Sequence, residues 1–143
     1  MTPDTSVIVN AEDWPGTPTT LLERGVRAVL ELQNVEHAEI SVTLLADADI
    51  ERMNRDYLGK DRPTDVIAFS LGGDPAVGDI YLGRDQAERQ AEEAGVPLDE
   101  ELLRLAIHGA LHVFGHDHPD GPERVDSPMF ATQEELVRAV LSG

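Results

Sequence analysis

Residues 107–118 read IHGALHVFGHDH, and this histidine-rich stretch is the most informative part of the chain. It holds four of the five histidines: His108, His112, His116 and His118. A helix turns by about 100° per residue, so His108 and His112 would lie about 40° apart on one face and could bind one ion. Gly115 is typical of a helix that ends in a left-handed turn. Such a turn would bring His116 or His118 back as a third ligand.

Metal binding is the interpretation that this spacing favours, because packing alone does not explain several histidines on a helix and its following turn. The chain has no cysteine, and imidazole ligands suit zinc, copper, nickel or iron. Three protein ligands would leave one position open, which is typical of a catalytic zinc site. Asp117 and Asp120 are candidates to orient a ligand imidazole from behind.

The spacing also matches a known protease signature, HExxHxxGxxH of the metzincins, at His108, His112, Gly115 and His118. The second position differs, since Gly109 stands where those proteases carry a glutamate. That glutamate is their general base. The sequence therefore predicts a metzincin-like metal cradle without the protease base.

The length of 143 residues predicts a single domain, residues 1–143, with a sizeable core. The sequence contains no run of about 18 apolar residues and therefore predicts no membrane span. The first residues, MTPDTS, lack the basic and apolar regions of a signal peptide. A cytoplasmic protein without disulfides is the expectation.

The formal net charge of −17 argues against loose, charge-driven binding to nucleic acid. The excess of acidic residues is most simply read as a solvated surface. Residues 52–62, here called the basic segment, are the exception. They carry four of the eleven basic residues: Arg52, Arg55, Lys60 and Arg62.

The pattern of apolar residues predicts the element order β-α-β-α-β-β-α-α-α. The predicted strands cover residues 7–9, 40–44, 66–69 and 80–82. The predicted helices cover residues 20–33, 47–57, 85–94, 98–114 and 130–141. Thr19 or Thr20 is expected to cap the first helix, with Glu23 completing a capping box. The predicted fold is α+β, with a small four-stranded mixed sheet, about five helices, and the metal site on a helix followed by a glycine turn.

Two stretches together resemble the YbeY family of bacterial endoribonucleases. They are NRDYLGKDRPTDVIAFS at residues 54–70 and HGALHVFGHDH at residues 108–118, supported by GDIYL from Gly78 and the helix after it. The resemblance implies a metal-dependent, single-strand-specific endoribonuclease acting in rRNA maturation, at the 3′ end of 16S rRNA, and in ribosome quality control. It implies single-stranded RNA, rRNA and the ribosome or its small subunit as partners.

The resemblance also implies one zinc ion per chain, held by His108, His112 and His118. His116 falls where members carry Tyr or His. Two positions depart from the family: Leu58 replaces a cleft arginine that is important for activity, and Leu71 replaces a proline.

A cation near Leu58 is still expected, because Arg55 lies one turn earlier and Arg62 four residues later. Arg55 and Arg62 are therefore the candidate catalytic cations beside His108. Arg55, Lys60 and Arg62 are the candidate substrate-binding residues, which would hold phosphates that flank the cleaved bond.

Zinc would acidify a water molecule and polarise a phosphoryl oxygen. The general base stays open between Asp65, Asp117 and the metal hydroxide itself. Two other classes of function also remain. One is a zinc metallopeptidase with a glutamate supplied from elsewhere, and the other is a non-catalytic, ribosome-associated metal-binding module.

Overall fold

The computed structural model describes residues 4–117 and 127–143. The predicted His118 and Asp120 lie outside the described residues. The element order is the predicted one. The strands are β1 (Asp4–Asn10), β2 (His37–Leu45), β3 (Val66–Gly72) and β4 (Ala76–Gly83). The helices are α1 (Thr19–Leu32), α2 (Asp47–Leu58), α3 (Arg84–Ala94), α4 (Leu98–Val113) and α5 (Pro128–Ser142).

The four strands form one mixed sheet in the order β1-β2-β4-β3. β2 pairs in the parallel sense with β1 on one side and β4 on the other, and β3 pairs with β4 in the antiparallel sense. In β2 the side chains of Ile40, Val42 and Leu44 are buried while their neighbours are not, as the alternation predicted. The predicted α+β class and the four-stranded mixed sheet are therefore confirmed.

Helix α4 lies at the centre of the molecule and packs against α1, α3, α5, β3 and β4. Its side chains are buried on several faces, including Leu103, Ile107 and Leu111, each fully buried. A helix that is apolar nearly all round belongs in the interior. Truncating one of these leucines to alanine is expected to cost roughly 2–5 kcal/mol of unfolding free energy. The core thus holds the histidine-bearing helix firmly in place.

Two helix starts differ from the sequence prediction. The expected threonine cap of α1 is wrong, because Pro18 occupies the N-cap position and no side chain caps this helix. Helix α5 begins at Pro128, two residues earlier than expected. There Ser127 Oγ accepts a 3.2 Å hydrogen bond from the Phe130 amide, and proline fits the first helical turn because its nitrogen has no hydrogen to satisfy.

Among residues 4–117 and 127–143, no helix has both the length and the apolar character needed to cross a membrane.

Candidate functional site

His108 and His112 lie on one face of α4 and point their Nε2 atoms at each other. The two Nε2 atoms are 3.1 Å apart, and the ring planes cross at 74°. Zinc–nitrogen bonds of about 2.1 Å in a tetrahedral site place two ligand nitrogens about 3.4 Å apart. The pair thus converges as two ligands of one ion would, so these residues fit a zinc ion.

Helix α4 ends in the turn that Gly115 predicted. Gly115 has φ of 90°, its amide donates to the His112 carbonyl over 3.0 Å, and the His116 amide donates to the Leu111 carbonyl over 3.0 Å. This pair of bonds is a Schellman motif, which satisfies the last carbonyls of the helix and reverses the chain. The predicted helix-and-glycine turn is confirmed next to the two imidazoles.

The third ligand remains a prediction. Within the described part of the chain, no three His, Cys, Asp or Glu side chains are grouped closely enough to hold a metal. His118 lies outside that part. His116 is described, and its Nε2 lies 2.7 Å from Oε1 of Gln33, just past the end of α1. That His116 is not a ligand stays a prediction.

Gln133 of α5 contacts the first of the two histidines and was not singled out from the sequence. Its Oε1 lies 2.6 Å from Nδ1 of His108, and its Nε2 donates to Glu134 Oε2 over 3.1 Å. The side chain is only 5% exposed. A signal was present in the sequence, because Gln133 interrupts the apolar stripe formed by Met129, Val137 and Val140.

Arg104 of α4 anchors a group of carboxylates behind Gln133. It donates to Glu134 over 2.9 and 3.1 Å, to Glu101 over 3.0 Å and to Glu100 over 3.1 Å. Burial by itself would raise the pKa of Glu134, but hydrogen bonds from Arg104 and Gln133 outweigh burial and lower this pKa from its ordinary value. Burial alone would lower the pKa of Arg104, and the bonds from its carboxylate partners raise it instead. Both groups are therefore charged at neutral pH.

A cavity of about 420 Å³ opens over the two histidines. Its wall includes Lys60 and Arg62 of the basic segment, together with Leu58. The structure thus brings two of the three predicted phosphate-binding cations to the same cavity as His108 and His112. Arg55 is not among the described residues that line it.

Arg55 instead faces acidic neighbours. Its guanidinium lies 3.5 Å from Asp61 and 3.8 Å from Asp56, and all three side chains are at least about half exposed. Solvated pairs of this kind contribute little to stability. Arg55 is thus the one of the three predicted cations that does not line the cavity.

The cavity wall also contains two carboxylates and a buried amide. Asp65 and Asp117, the candidate bases, both line the cavity. Asn54 of α2, missed from the sequence, is 2% exposed and donates from Nδ2 to the Arg62 carbonyl over 2.9 Å. The signal in the sequence was a polar residue on the side of α2 that is otherwise apolar.

Comparison with known proteins gives concordant results. Residues 9–140 match the protein family described as endoribonuclease YbeY. The chain is 39% identical over 127 residues to the endoribonuclease YbeY of Persephonella marina, covering 85% of this chain and 82% of the relative. It is 38% identical over 143 residues to that of Geobacter sulfurreducens, covering 95% of each. A solution structure of a Thermotoga maritima protein superimposes with a TM-score of 0.65 at 28% identity, covering 96% of this chain and 89% of the other.

Proposed function

The chain belongs to the YbeY family of endoribonucleases, and from this premise we propose that it is a zinc-dependent endoribonuclease that cleaves single-stranded RNA. One zinc ion per chain would be held by His108, His112 and His118. When bound, zinc would acidify a water molecule and polarise a phosphoryl oxygen of the substrate.

The convergence of the two Nε2 atoms in a cavity that also presents cations is the observation that carries this proposal. Imidazole nitrogens alone suit hydrolysis of a peptide or of a phosphodiester. Lys60 and Arg62 favour the phosphodiester, because their cations can hold the phosphates on either side of the cleaved bond. In a chain with a net charge of −17, a local excess of positive charge is needed to attract RNA.

The shape of the cavity supports an unpaired strand as substrate. A volume of about 420 Å³ is within the range of sites that enclose small molecules. It accommodates a nucleotide of an extended strand more readily than a duplex, whose bases are stacked in its interior. Leu58, 54% exposed at the cavity, offers an apolar surface to a base.

Proton transfer would be carried out by this chain's own carboxylates. Asp65 and Asp117 both reach the cavity wall and are the two candidates to accept a proton from the attacking group. Arg62 is the candidate to offset charge that develops on the phosphate, with Arg55, which does not line the cavity, as the alternative.

The proposal extends to a biological setting on the strength of family membership. The substrate would be ribosomal RNA, at the 3′ end of 16S rRNA, with the ribosome or its small subunit as partner and ribosome quality control as a second role. The cytoplasm is the compartment where these substrates occur.

The test is an assay of the purified protein on single-stranded RNA, duplex RNA and casein, with chelator and after zinc is restored. We expect cleavage of single-stranded RNA only, lost with chelator and regained with zinc. His112→Ala should abolish it, whereas His37→Ala, which removes an imidazole from β2 remote from the cavity, should not. Casein cleavage would establish a peptidase instead, and no cleavage of any substrate would leave the metal-binding module.

A further inference from the structure

We propose that Gln133 is a positioning residue that holds the His108 imidazole in one tautomer, with Nδ1 protonated and the Nε2 lone pair directed at the metal. The inference rests on the proposed function, because it assigns a role within the same metal site. It adds a residue from α5 to a site that the sequence motif confines to α4 and its turn.

The tautomer follows from the chemistry of the contact. Oε1 of Gln133 is an amide carbonyl oxygen, which accepts hydrogen bonds and cannot donate them. At 2.6 Å from Nδ1 of His108, it therefore requires the hydrogen to be on Nδ1. A neutral imidazole carries only one such hydrogen, so its Nε2 keeps a lone pair that can bind a metal. That Nε2 is the atom facing His112 Nε2 at 3.1 Å.

The orientation of the amide is itself fixed by a second contact. A glutamine side chain can be turned over, which would exchange its oxygen and nitrogen. Nε2 of Gln133 lies 3.1 Å from Glu134 Oε2, and an ionised carboxylate only accepts hydrogen bonds. Turning the amide over would place two oxygens against each other at Glu134 and a donor against Nδ1 of His108.

The carboxylate is held in turn by Arg104. Both oxygens of Glu134 accept from the guanidinium, at 2.9 and 3.1 Å. The chain of contacts from Arg104 through Glu134 and Gln133 to His108 thus has one consistent direction of donors and acceptors. Gln133 is 5% exposed, so water competes little for these hydrogen bonds.

A partner of this kind changes metal affinity measurably. Hydrogen bonds to the second nitrogen of a ligand histidine fix its orientation, and losing one typically lowers metal affinity by about 10- to 100-fold. Gln133→Met removes the acceptor and keeps a long, unbranched side chain in the same space. Gln90→Met is the matched control, because Gln90 lines the same cavity and donates to Glu101 over 2.9 Å, away from the imidazoles.

The first measurement uses the metal-free protein at a pH where its imidazoles are neutral. Nitrogen-15 NMR reports which ring nitrogen of His108 carries the hydrogen. We expect the Nδ1–H tautomer in the wild type and Gln90→Met, and a mixture of tautomers in Gln133→Met. Finding His108 as the Nε2–H tautomer in the wild type would overturn the proposal without requiring any variant to fold.

The second measurement is zinc affinity by competition with a chelator. We expect the zinc dissociation constant to rise about 10- to 100-fold in Gln133→Met and to stay near the wild-type value in Gln90→Met. An unchanged constant in Gln133→Met would contradict the positioning role. If the wild type binds no zinc while the tautomer still responds to Gln133→Met, the proposed function fails and the positioning stands. If zinc binding and RNA cleavage are normal but the His108 tautomer is the same in Gln133→Met as in the wild type, the positioning role fails and the proposed function stands.

Discussion

Gly109 of α4 packs so closely against Ile80 of β4 that a Cβ atom on the glycine would lie 2.6 Å from Cγ2 of the isoleucine. The same atom would lie 3.1 Å from Cγ2 of Val66 in β3. Gly109 occupies the position of the metzincin glutamate, and here that position faces the sheet. A glutamate could not be accommodated there without displacing the core, so the general base of a metallopeptidase would have to come from another part of the chain.

Gly109→Ala is expected to destabilise the protein even though alanine favours helix. The added methyl group meets the stiff, β-branched Ile80, and overpacking of this kind costs about 1–3 kcal/mol of unfolding free energy. The midpoint of denaturant unfolding measures the loss. A Gly109→Ala variant as stable as the wild type would show that the sheet shifts readily to accept the methyl group. Cleavage of casein by Gly109→Glu would favour the peptidase hypothesis again.

Asn54→Ala should loosen the basic segment. The substitution leaves the Arg62 carbonyl without its 2.9 Å donor, at a cost of about 1–3 kcal/mol. RNA cleavage should fall while zinc content stays at the wild-type level. Asn10→Ala is the control, because Asn10 donates a 3.1 Å bond to Thr43 at an exposed position and should change stability little. Equal effects of the two variants would argue that burial at Asn54 is unimportant.

The double variant Arg55→Ala/Arg62→Ala should cut single-strand RNA cleavage at least tenfold, a loss of about 1.4 kcal/mol or more in transition-state stabilisation. We expect most of this loss from Arg62→Ala, since Arg62 lines the cavity and Arg55 does not. The salt dependence of RNA binding should become shallower, because fewer counterions are released. Arg52→Ala, which removes an exposed cation paired with Asp49, is the control. Undiminished cleavage in the double variant would refute the role of this segment.

The metal content of histidine variants tests the ligand set directly. His112→Ala should abolish stoichiometric zinc binding, because two remaining imidazoles hold the ion poorly. His116→Tyr should keep zinc near the wild-type level, since His116 Nε2 faces Gln33 rather than the pair. Elemental analysis measures both. If zinc is lost in His116→Tyr and retained in His118→Ala, the third ligand is His116.

Acid stability should depend on Glu134. Its pKa is lowered from the ordinary value of 4.5 in the folded protein, so its contribution is present above that value and disappears as pH falls through the folded pKa. Glu134→Gln should therefore be less stable than the wild type at neutral pH, by about 1–3 kcal/mol. The difference should shrink on acidification below pH 4.5. Glu135→Gln, at an exposed neighbouring position, should follow the wild-type curve; a constant gap for Glu134→Gln would contradict this assignment.

The elements of the fold were predictable because each one depends on a local apolar period. Alternation in β2, helical spacing in α4 and the stop at Gly115 are properties of adjacent residues, and the structure confirms them. The prediction of a threonine cap for α1 was wrong because Pro18 takes the position that threonine was expected to fill.

The geometry of the site could be deduced from residue spacing only where the residues share one helix. His108 and His112 are four positions apart, so their convergence can be deduced from helix geometry. Gln133 reaches His108 from 25 residues away, and Arg104 pairs with Glu134 from 30 residues away. Those contacts depend on how α5 lies on α4, which no local pattern specifies. Arg62 lines the cavity and Arg55 does not, and this difference depends in the same way on the path of the loop after α2.

The central position of α4 has a consequence for hydrogen exchange. Other elements surround this helix, so its amides near Ile107 and Leu111 can reach solvent only when the whole protein unfolds. Their exchange should thus report the global free energy of unfolding, while amides in partly exposed α2 exchange through smaller openings. Because His108 and His112 lie on the helix that is expected to exchange slowest, their spacing should persist for as long as the molecule stays folded.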